Sequence, residues 1–142
     1  MKLSRSIGIA APPALVWERT ADVVAWPDWM PTVTRVRALD GPLRPGARFA
    51  VAQPMQREAV WQVTRLESGR LFEWERRDGG RLLFTGTHAV EPEGTGTRAT
   101  TALEAHAPSA ALLRPLFAWV LWTEARALRR RCLRPPAAEA QT

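Results

Sequence analysis

The sequence contains no tyrosine, two histidines and a single cysteine, Cys132. The absence of tyrosine excludes chemistry based on a phenolic hydroxyl. One thiol cannot close an internal disulfide, and no cluster of cysteines and histidines has the spacing of a structural zinc site. We therefore expect a protein of a reducing compartment, and we predict neither a metal nor a cofactor.

Long apolar stretches are also missing. No window approaches the ~20 apolar residues that a membrane-spanning helix needs. Residues 1–5 (MKLSR) lack the apolar segment of a secretory signal. We expect a cytoplasmic location and no stable membrane insertion.

Lysine is nearly absent, since Lys2 is the only one, but abundant arginine gives a net charge of +6. A positive net charge makes nucleic acid or an anionic membrane a candidate partner. Most arginines are scattered, and one group lies near the C-terminal end: Arg126, Arg129, Arg130, Arg131 and Arg134. A basic run without interleaved stacking aromatics is weak evidence for nucleic-acid binding, and cations suit the end of a helix. We predict no nucleic-acid partner, and protein or membrane docking through this helix is the weakest alternative.

The chain does contain enough apolar surface for one core. Its 142 residues are 46% hydrophobic and 24% charged, which is typical of a folded globule. Two consecutive prolines begin the last eight residues. We predict one domain over residues 1–134 and a flexible C-terminal tail over 135–142.

Periodicity predicts a mixed architecture. Residues 3–9 alternate at the period of a strand, Pro12 and Pro13 begin a short helix, and Pro27 and Pro31 break a second one, for which Asp28 is a candidate cap. Turn signals then separate six candidate strands, at 33–40, 46–54, 58–66, 70–77, 81–91 and 96–106.

A long helix is predicted over 109–133. Ser109 is its candidate N-cap, although Pro115 makes a start nearer Arg114 an alternative. The fold class is therefore α+β: a curved antiparallel sheet of about seven strands wraps around this helix. A helix that covers only part of the concave face leaves an internal cavity beside it.

Strand alternation and helix spacing indicate which side chains face this cavity. For any one tryptophan core packing is the favoured interpretation, but so many large rings around one narrow sheet are difficult to pack without voids: Trp26, Trp29, Trp61, Trp74, Trp119 and Trp122. The predicted ligand-binding residues are Trp26, Trp29, Phe49, Gln53, Trp61, Trp74, Phe84, Thr101, Leu116 and Trp119.

His88 is the candidate catalytic residue, because it shares the inward face of its strand and its ordinary pKa suits proton transfer near neutrality. A histidine that orients a ligand or pairs with the backbone is the alternative. Glu73 and Glu75 alternate opposite Phe72 and are predicted to face solvent. His106 is predicted to lie on the outer face.

Several segments together resemble the START-like superfamily, also called SRPBCC. They are residues 9–17 (IAAPPALVW), 26–31 (WPDWMP), 46–49 (GARF), 60–63 (VWQV), 72–75 (FEWE), 88–92 (HAVEP) and 96–98 (GTR). The superfamily includes polyketide cyclases and dehydrases, lipid carriers and plant ligand-binding proteins. The resemblance implies a helix-grip fold with a cavity, and it implies neither one activity nor one catalytic set.

Two functions from different classes follow. The first is a binding or carrier protein for an apolar small molecule such as a polyketide, lipid or isoprenoid, acting as a monomer or homodimer. The second is a cofactor-free aromatic cyclase or dehydratase that uses His88 as acid or base. A carrier needs only shape and apolar area, whereas the enzyme also needs a second polar group near His88.

Overall fold

The structure, a computed structural model, describes residues 1–134. Seven strands and two α-helices form, and two 3₁₀ helices span Val23–Asp28 and Pro108–Leu113. The α-helices are α1 (Pro13–Ala21) and α2 (Arg114–Cys132). The strands are β1 (Lys2–Ile9), β2 (Arg35–Ala38), β3 (Arg48–Ala52), β4 (Ala59–Glu67), β5 (Leu71–Asp78), β6 (Arg81–Glu93) and β7 (Gly96–Ala105). The predicted tail at 135–142 lies outside the described residues.

All seven strands belong to one antiparallel sheet in the order β1-β7-β6-β5-β4-β3-β2. Strands β2 to β7 form a meander, as their short turns predict, and β1 joins the sheet beside β7. Gly79 and Gly80 form the turn between β5 and β6 with φ of 54° and 89°. Two positive φ values suit the tight hairpin turn that matches strand twist, which explains the glycine pair.

The six predicted strands are confirmed, with differences at their ends. The first is the shortest: residues 33–40 were predicted, but only Arg35–Ala38 pair with a neighbour. Thr34 still donates its amide hydrogen to the carbonyl of Ala52 at 2.8 Å. Gly41, Pro42, Pro45 and Gly46 lie in the turn that follows β2 and limit the ladder there.

Two capping predictions are wrong. Ser109 does not cap the long helix, because α2 begins at Arg114 after a 3₁₀ turn. Pro115 lacks an amide hydrogen and therefore belongs in the first helical turn, where that hydrogen has no partner anyway. Asp28 ends the 3₁₀ helix of Val23–Asp28 and starts no new helix.

The core has two parts. One lies beneath the first 3₁₀ helix against β2–β5 and contains Trp26, Phe49, Phe72 and Trp74. The other lies where α1 and the C-terminal part of α2 meet the sheet, and it includes Val16. Helix α2 packs mainly on β1 and β7. It therefore leaves the inner face of the central strands uncovered along part of its length.

Candidate functional site

A cavity of about 340 Å³ occupies the space between the inner face of the sheet and α2. This volume falls within the range of small-molecule sites, roughly 300–1,000 Å³. Eight of the predicted ligand-binding and catalytic residues line it: Trp26, Gln53, Trp61, Trp74, Phe84, His88, Thr101 and Leu116. On β4, β5, β6 and β7 the residues that alternation placed on the inward face therefore line the cavity.

Cross-strand pairing explains why these side chains meet. Trp74 on β5 lies opposite Gly86 on β6, and His88 lies opposite both Phe72 on β5 and Thr101 on β7. Directly opposed residues of antiparallel strands point to the same face of the sheet. The bulges at Val63/Arg65 and Arg76/Arg77 do not separate these pairs.

Gly86 determines how Trp74 lies against the sheet. A Cβ at this position would stand 2.9 Å from Trp74 Nε1 and 3.5 Å from Trp61 Cζ3. Since real Cβ atoms essentially never approach that closely, any larger residue would displace the indole. The missing side chain thus lets Trp74 and Trp61 pack closely over β6, where they form one wall of the cavity.

The aromatic rings form a continuous cluster. Trp74 lies 5.4 Å from Trp61, 5.5 Å from Trp26 and 5.2 Å from Phe72, measured between ring centroids. The indole N–H of Trp26 donates to the carbonyl of Thr20 at 3.2 Å, which satisfies its polar atom. Aromatic pairs at these distances stabilise a fold by more than their buried area alone would give. These contacts therefore help to hold the rings of the apolar wall in place.

Three predicted ligand-binding residues lie elsewhere. Phe49 is 2% exposed and belongs to the core beneath the cavity. Trp29 lines a small inner chamber and an outer groove. Trp119 is 53% exposed and lines none of these cavities. Trp119 was predicted to face the cavity but lies on the outer side of α2, because at about 100° per residue it falls far from the inward stripe of Phe117, Val120 and Glu124, whereas Leu116 lies at the edge of that stripe.

The imidazole of His88 packs mainly against aromatic rings. Its imidazole stacks on Phe72 at 5.0 Å and lies 5.1 Å from Trp26. Within residues 1–134, neither ring nitrogen forms a hydrogen bond with the protein. Burial lowers the pKa of His88 to about 4, because the charged form would be poorly solvated there. The side chain is therefore a neutral imidazole over most of the pH range.

Thr101, directly opposite His88, is 7% exposed. Other buried threonines are satisfied: Thr20 donates to the carbonyl of Val16 at 2.8 Å, and Thr97 to that of Ala11 at 2.7 Å. In the described part of the chain the Thr101 hydroxyl forms no such bond. Because Thr101 lines the cavity, its hydroxyl is available to a guest molecule.

Glu124 is a cavity-lining residue that the sequence analysis did not predict. It projects from α2 into the cavity, and it accepts a hydrogen bond from the Thr32 hydroxyl at 3.3 Å. Burial raises the pKa of Glu124 to about 7, and the Thr32 hydrogen bond opposes that rise. The signal was present in the spacing, since position 124 continues the inward stripe of Phe117, Val120 and Leu121.

A small inner chamber of about 20 Å³ adjoins the main cavity, which is room for about one water molecule. Four residues line both spaces: Trp26, His88, Thr101 and Glu124. These residues therefore mark the junction between the two spaces. Arg76, also missed, lines the main cavity, and its guanidinium lies 5.8 Å from the centre of the Phe84 ring.

The arginine-rich end of α2 borders a separate outer groove of about 340 Å³. Arg126, Arg130, Arg131 and Arg134 line it together with Trp122 and Asp28. The guanidinium of Arg126 lies 4.4 Å from the Trp122 ring. This groove opens away from the aromatic cavity and shares none of its lining residues.

Other candidate reactive groups lie outside the cavity. His106 is on the outer face, 3.0 Å from the Thr85 hydroxyl, as predicted. Glu75 pairs with Arg77 at 2.8 Å, and Glu73 accepts from Thr64 at 3.1 Å, so both carboxylates point away from Trp74. Burial raises the pKa of Cys132 to about 11, which makes it a poor nucleophile. Among residues 1–134 no cluster of three metal-ligating side chains forms.

A comparison with known protein families gives a match, which covers all the described residues. The model of a family described as polyketide cyclase/dehydrase and lipid transport matches residues 1–134. No protein of curated function matches in sequence.

Solved structures share the fold at low sequence identity. A START superfamily protein from Mycobacterium smegmatis is 18% identical, with a TM-score of 0.76 over 99% of each chain. Protein XoxI from Bacillus cereus is 15% identical, with a TM-score of 0.76 over 94% of this chain and 96% of its own. The major latex-like protein 151 from Panax ginseng is 12% identical, with a TM-score of 0.72 over 94% and 97%. These likenesses show a helix-grip architecture.

Proposed function

The chain belongs to the polyketide cyclase/dehydrase and lipid transport family, and from this premise we propose that it binds an apolar small molecule between the sheet and α2. A polyketide, a lipid or an isoprenoid has the required character. The observation that carries the proposal is the cavity of about 340 Å³ walled by Trp26, Trp61, Trp74 and Phe84. Its residues come from α2, both 3₁₀ helices and several strands of one chain.

Burial of apolar surface is the main source of the affinity that we propose for a guest molecule. Each buried aromatic face offers contact to a flat or branched hydrocarbon, and burial of apolar surface contributes roughly 25 cal/mol per Å². A well-packed core of this size would leave no such space. An open cavity lined by aromatic rings therefore supports the proposal that a guest molecule occupies it.

Native mass spectrometry of the purified protein tests the proposal. We expect a passenger of constant mass that dissociates on mild unfolding, or, after its removal, uptake of the neutral apolar dye Nile red. A protein that carries no passenger and takes up no dye would contradict the proposal.

A matched pair of variants assigns the binding to the cavity. Trp61 lines it and Trp119 does not. Trp61→Ala should weaken dye binding by about tenfold, whereas Trp119→Ala should leave it unchanged. Equal effects would place the dye on the outer surface.

A second candidate function is a cofactor-free aromatic cyclase or dehydratase in which His88 moves a proton. The observation that favours it is a neutral imidazole that faces the cavity and keeps its nitrogens free of protein hydrogen bonds in the described range. With a pKa of about 4 this group is a weak base, so it would take a proton only from a carbon made acidic by two neighbouring carbonyls. Thr101 and Glu124, beside His88, meet the requirement for a second polar group.

Turnover of an aromatic polyketide-like substrate tests this candidate. We expect His88→Ala to abolish turnover and His106→Ala, the matched outer-face variant, to retain it. Turnover that survives His88→Ala would exclude His88 as the acid or base.

We further propose that the protein acts in the cytoplasm, as a monomer or homodimer and without a nucleic-acid partner. No helix within residues 1–134 has the length and apolarity needed to cross a membrane. Size-exclusion chromatography coupled to light scattering measures the oligomeric state.

A further inference from the structure

Three polar side chains converge at one end of an otherwise apolar cavity. His88 and Thr101 oppose each other across β6 and β7, and Glu124 reaches the same place from α2. All three also line the small inner chamber. Because they come from two strands and a helix, only the assembled fold brings them together.

These groups have unused hydrogen-bonding capacity. Within the described residues, the imidazole of His88 and the hydroxyl of Thr101 form no hydrogen bond with protein, and Glu124 receives one, from Thr32. All three side chains line the cavity, so their polar atoms remain open to a partner inside it. A polar atom of a guest molecule would be that partner.

The charge states of His88 and Glu124 determine which kind of ligand atom can bind beside them. Burial lowers the pKa of His88 to about 4 and raises that of Glu124 to about 7, so between these values both groups are uncharged. A neutral carboxyl and a hydroxyl donate hydrogen bonds, while a neutral imidazole offers one donor and one acceptor. This set favours an uncharged oxygen over a carboxylate or an ammonium group. Arg76, the remaining charged side chain lining the cavity, lies beside Phe84.

We propose that His88, Thr101 and Glu124 form a polar end of the cavity that binds a hydroxyl or carbonyl oxygen of a ring-containing, otherwise apolar ligand. The ring body lies along Trp26, Trp61 and Trp74, and the oxygen points to the junction with the inner chamber. This inference rests on the proposed function, since it requires that the cavity holds a guest. It narrows the ligand from any apolar molecule to an oxygenated one.

Two probes that differ by one hydroxyl test the inference: naphthalene and 2-naphthol. Isothermal titration calorimetry at pH 6 gives the ratio of their dissociation constants for each protein. We expect Glu124→Leu and Thr101→Val to reduce the wild-type preference for 2-naphthol by about tenfold each, the typical value of one buried hydrogen bond. Naphthalene binding should be unchanged or tighter, because both changes make the cavity more apolar.

Controls separate hydrogen bonding from a folding defect. Glu124→Gln retains a donor and should keep most of the preference. Glu91→Gln, on an exposed residue of β6, should keep all of it.

The outcomes distinguish this inference from the proposed function. If naphthalene binds the wild type and the preference is the same in every variant, the polar end does not exist, although the apolar cavity does. If neither probe binds the wild type, the proposed function fails and this inference fails with it. If Glu124→Leu fails to fold, Thr101→Val alone decides between these results.

Discussion

Trp74 and Trp119 are chemically identical, but the fold gives them opposite environments. Trp74 is 5% exposed and lies against five other aromatic rings, the imidazole of His88 included. Trp119 is 53% exposed on the outer side of α2. The inner group builds the walls of a cavity, whereas the outer side of α2 combines large apolar residues with arginines, and Trp122 packs under Arg126. Aromatic content alone therefore says little about where a ligand binds.

The largest expected effect compares these two tryptophans. Trp74→Ala should lower the free energy of unfolding by about 3–5 kcal/mol, because it removes a large ring from a packed cluster. Trp119→Ala should change it by less than about 0.5 kcal/mol. Urea denaturation followed by circular dichroism measures both. Similar losses would mean that the outer ring is also part of the core.

The pH dependence of stability distinguishes the two buried titratable groups. The folded-state pKa of His88, about 4, is below its ordinary 6.5, so its contribution to stability is lost as the pH falls through this range. The folded-state pKa of Glu124, about 7, is above its ordinary 4.5, so its contribution is lost as the pH rises through that range. The two trends oppose each other and partly offset between pH 4.5 and 6.5.

Single variants should reveal each trend. In His88→Phe, the free energy of unfolding should fall by on the order of 2–3 kcal/mol as the pH rises from 4.5 to 7. In Glu124→Gln it should instead fall, by a similar amount, as the pH decreases from 6.5 to 4. Urea denaturation across this range provides the values. Parallel curves for both variants and the wild type would show that these groups are well solvated.

Gly86 offers a more local test of the inner cluster. Gly86→Ala should lower the free energy of unfolding by about 1–3 kcal/mol, since the new methyl group collides with Trp74. Its tryptophan fluorescence should also change. Gly8→Ala in β1 is the matched control, because a Cβ there has no neighbour within 4 Å. An unchanged Gly86→Ala variant would indicate that Trp74 repacks freely.

The smallest effect concerns the outer groove. Arg126→Ala should lower the free energy of unfolding by about 0.5 kcal/mol, which is typical of an exposed cation–π pair, and high salt should change this little. Arg129→Ala, on an exposed residue nearby, is the control and should have no effect. A large loss on Arg126→Ala would show that the groove contributes to the fold.

Most of the architecture was predictable because local signals agreed. Period-two alternation located six strands, and turn residues such as Gly79 and Gly80 located their ends. Alternation also placed Trp61, Trp74 and His88 on one face, because no bulge inverted the pattern between them. On α2 the predicted residues came from two sides of one helix: Leu116 lines the cavity, whereas Trp119 lies on the outer side.

The amino-acid sequence by itself determined the order of elements, the antiparallel meander and the aromatic inner face, since each depends on neighbours a few residues apart. Only the tertiary structure placed Glu124 opposite His88 and Thr101, because these residues come from distant segments whose distance no periodicity specifies. The burial that keeps both titratable groups neutral is likewise a property of the assembled cavity. For that reason the aromatic lining of the cavity and its polar residues His88 and Thr101 were visible in the sequence, whereas Glu124 was not.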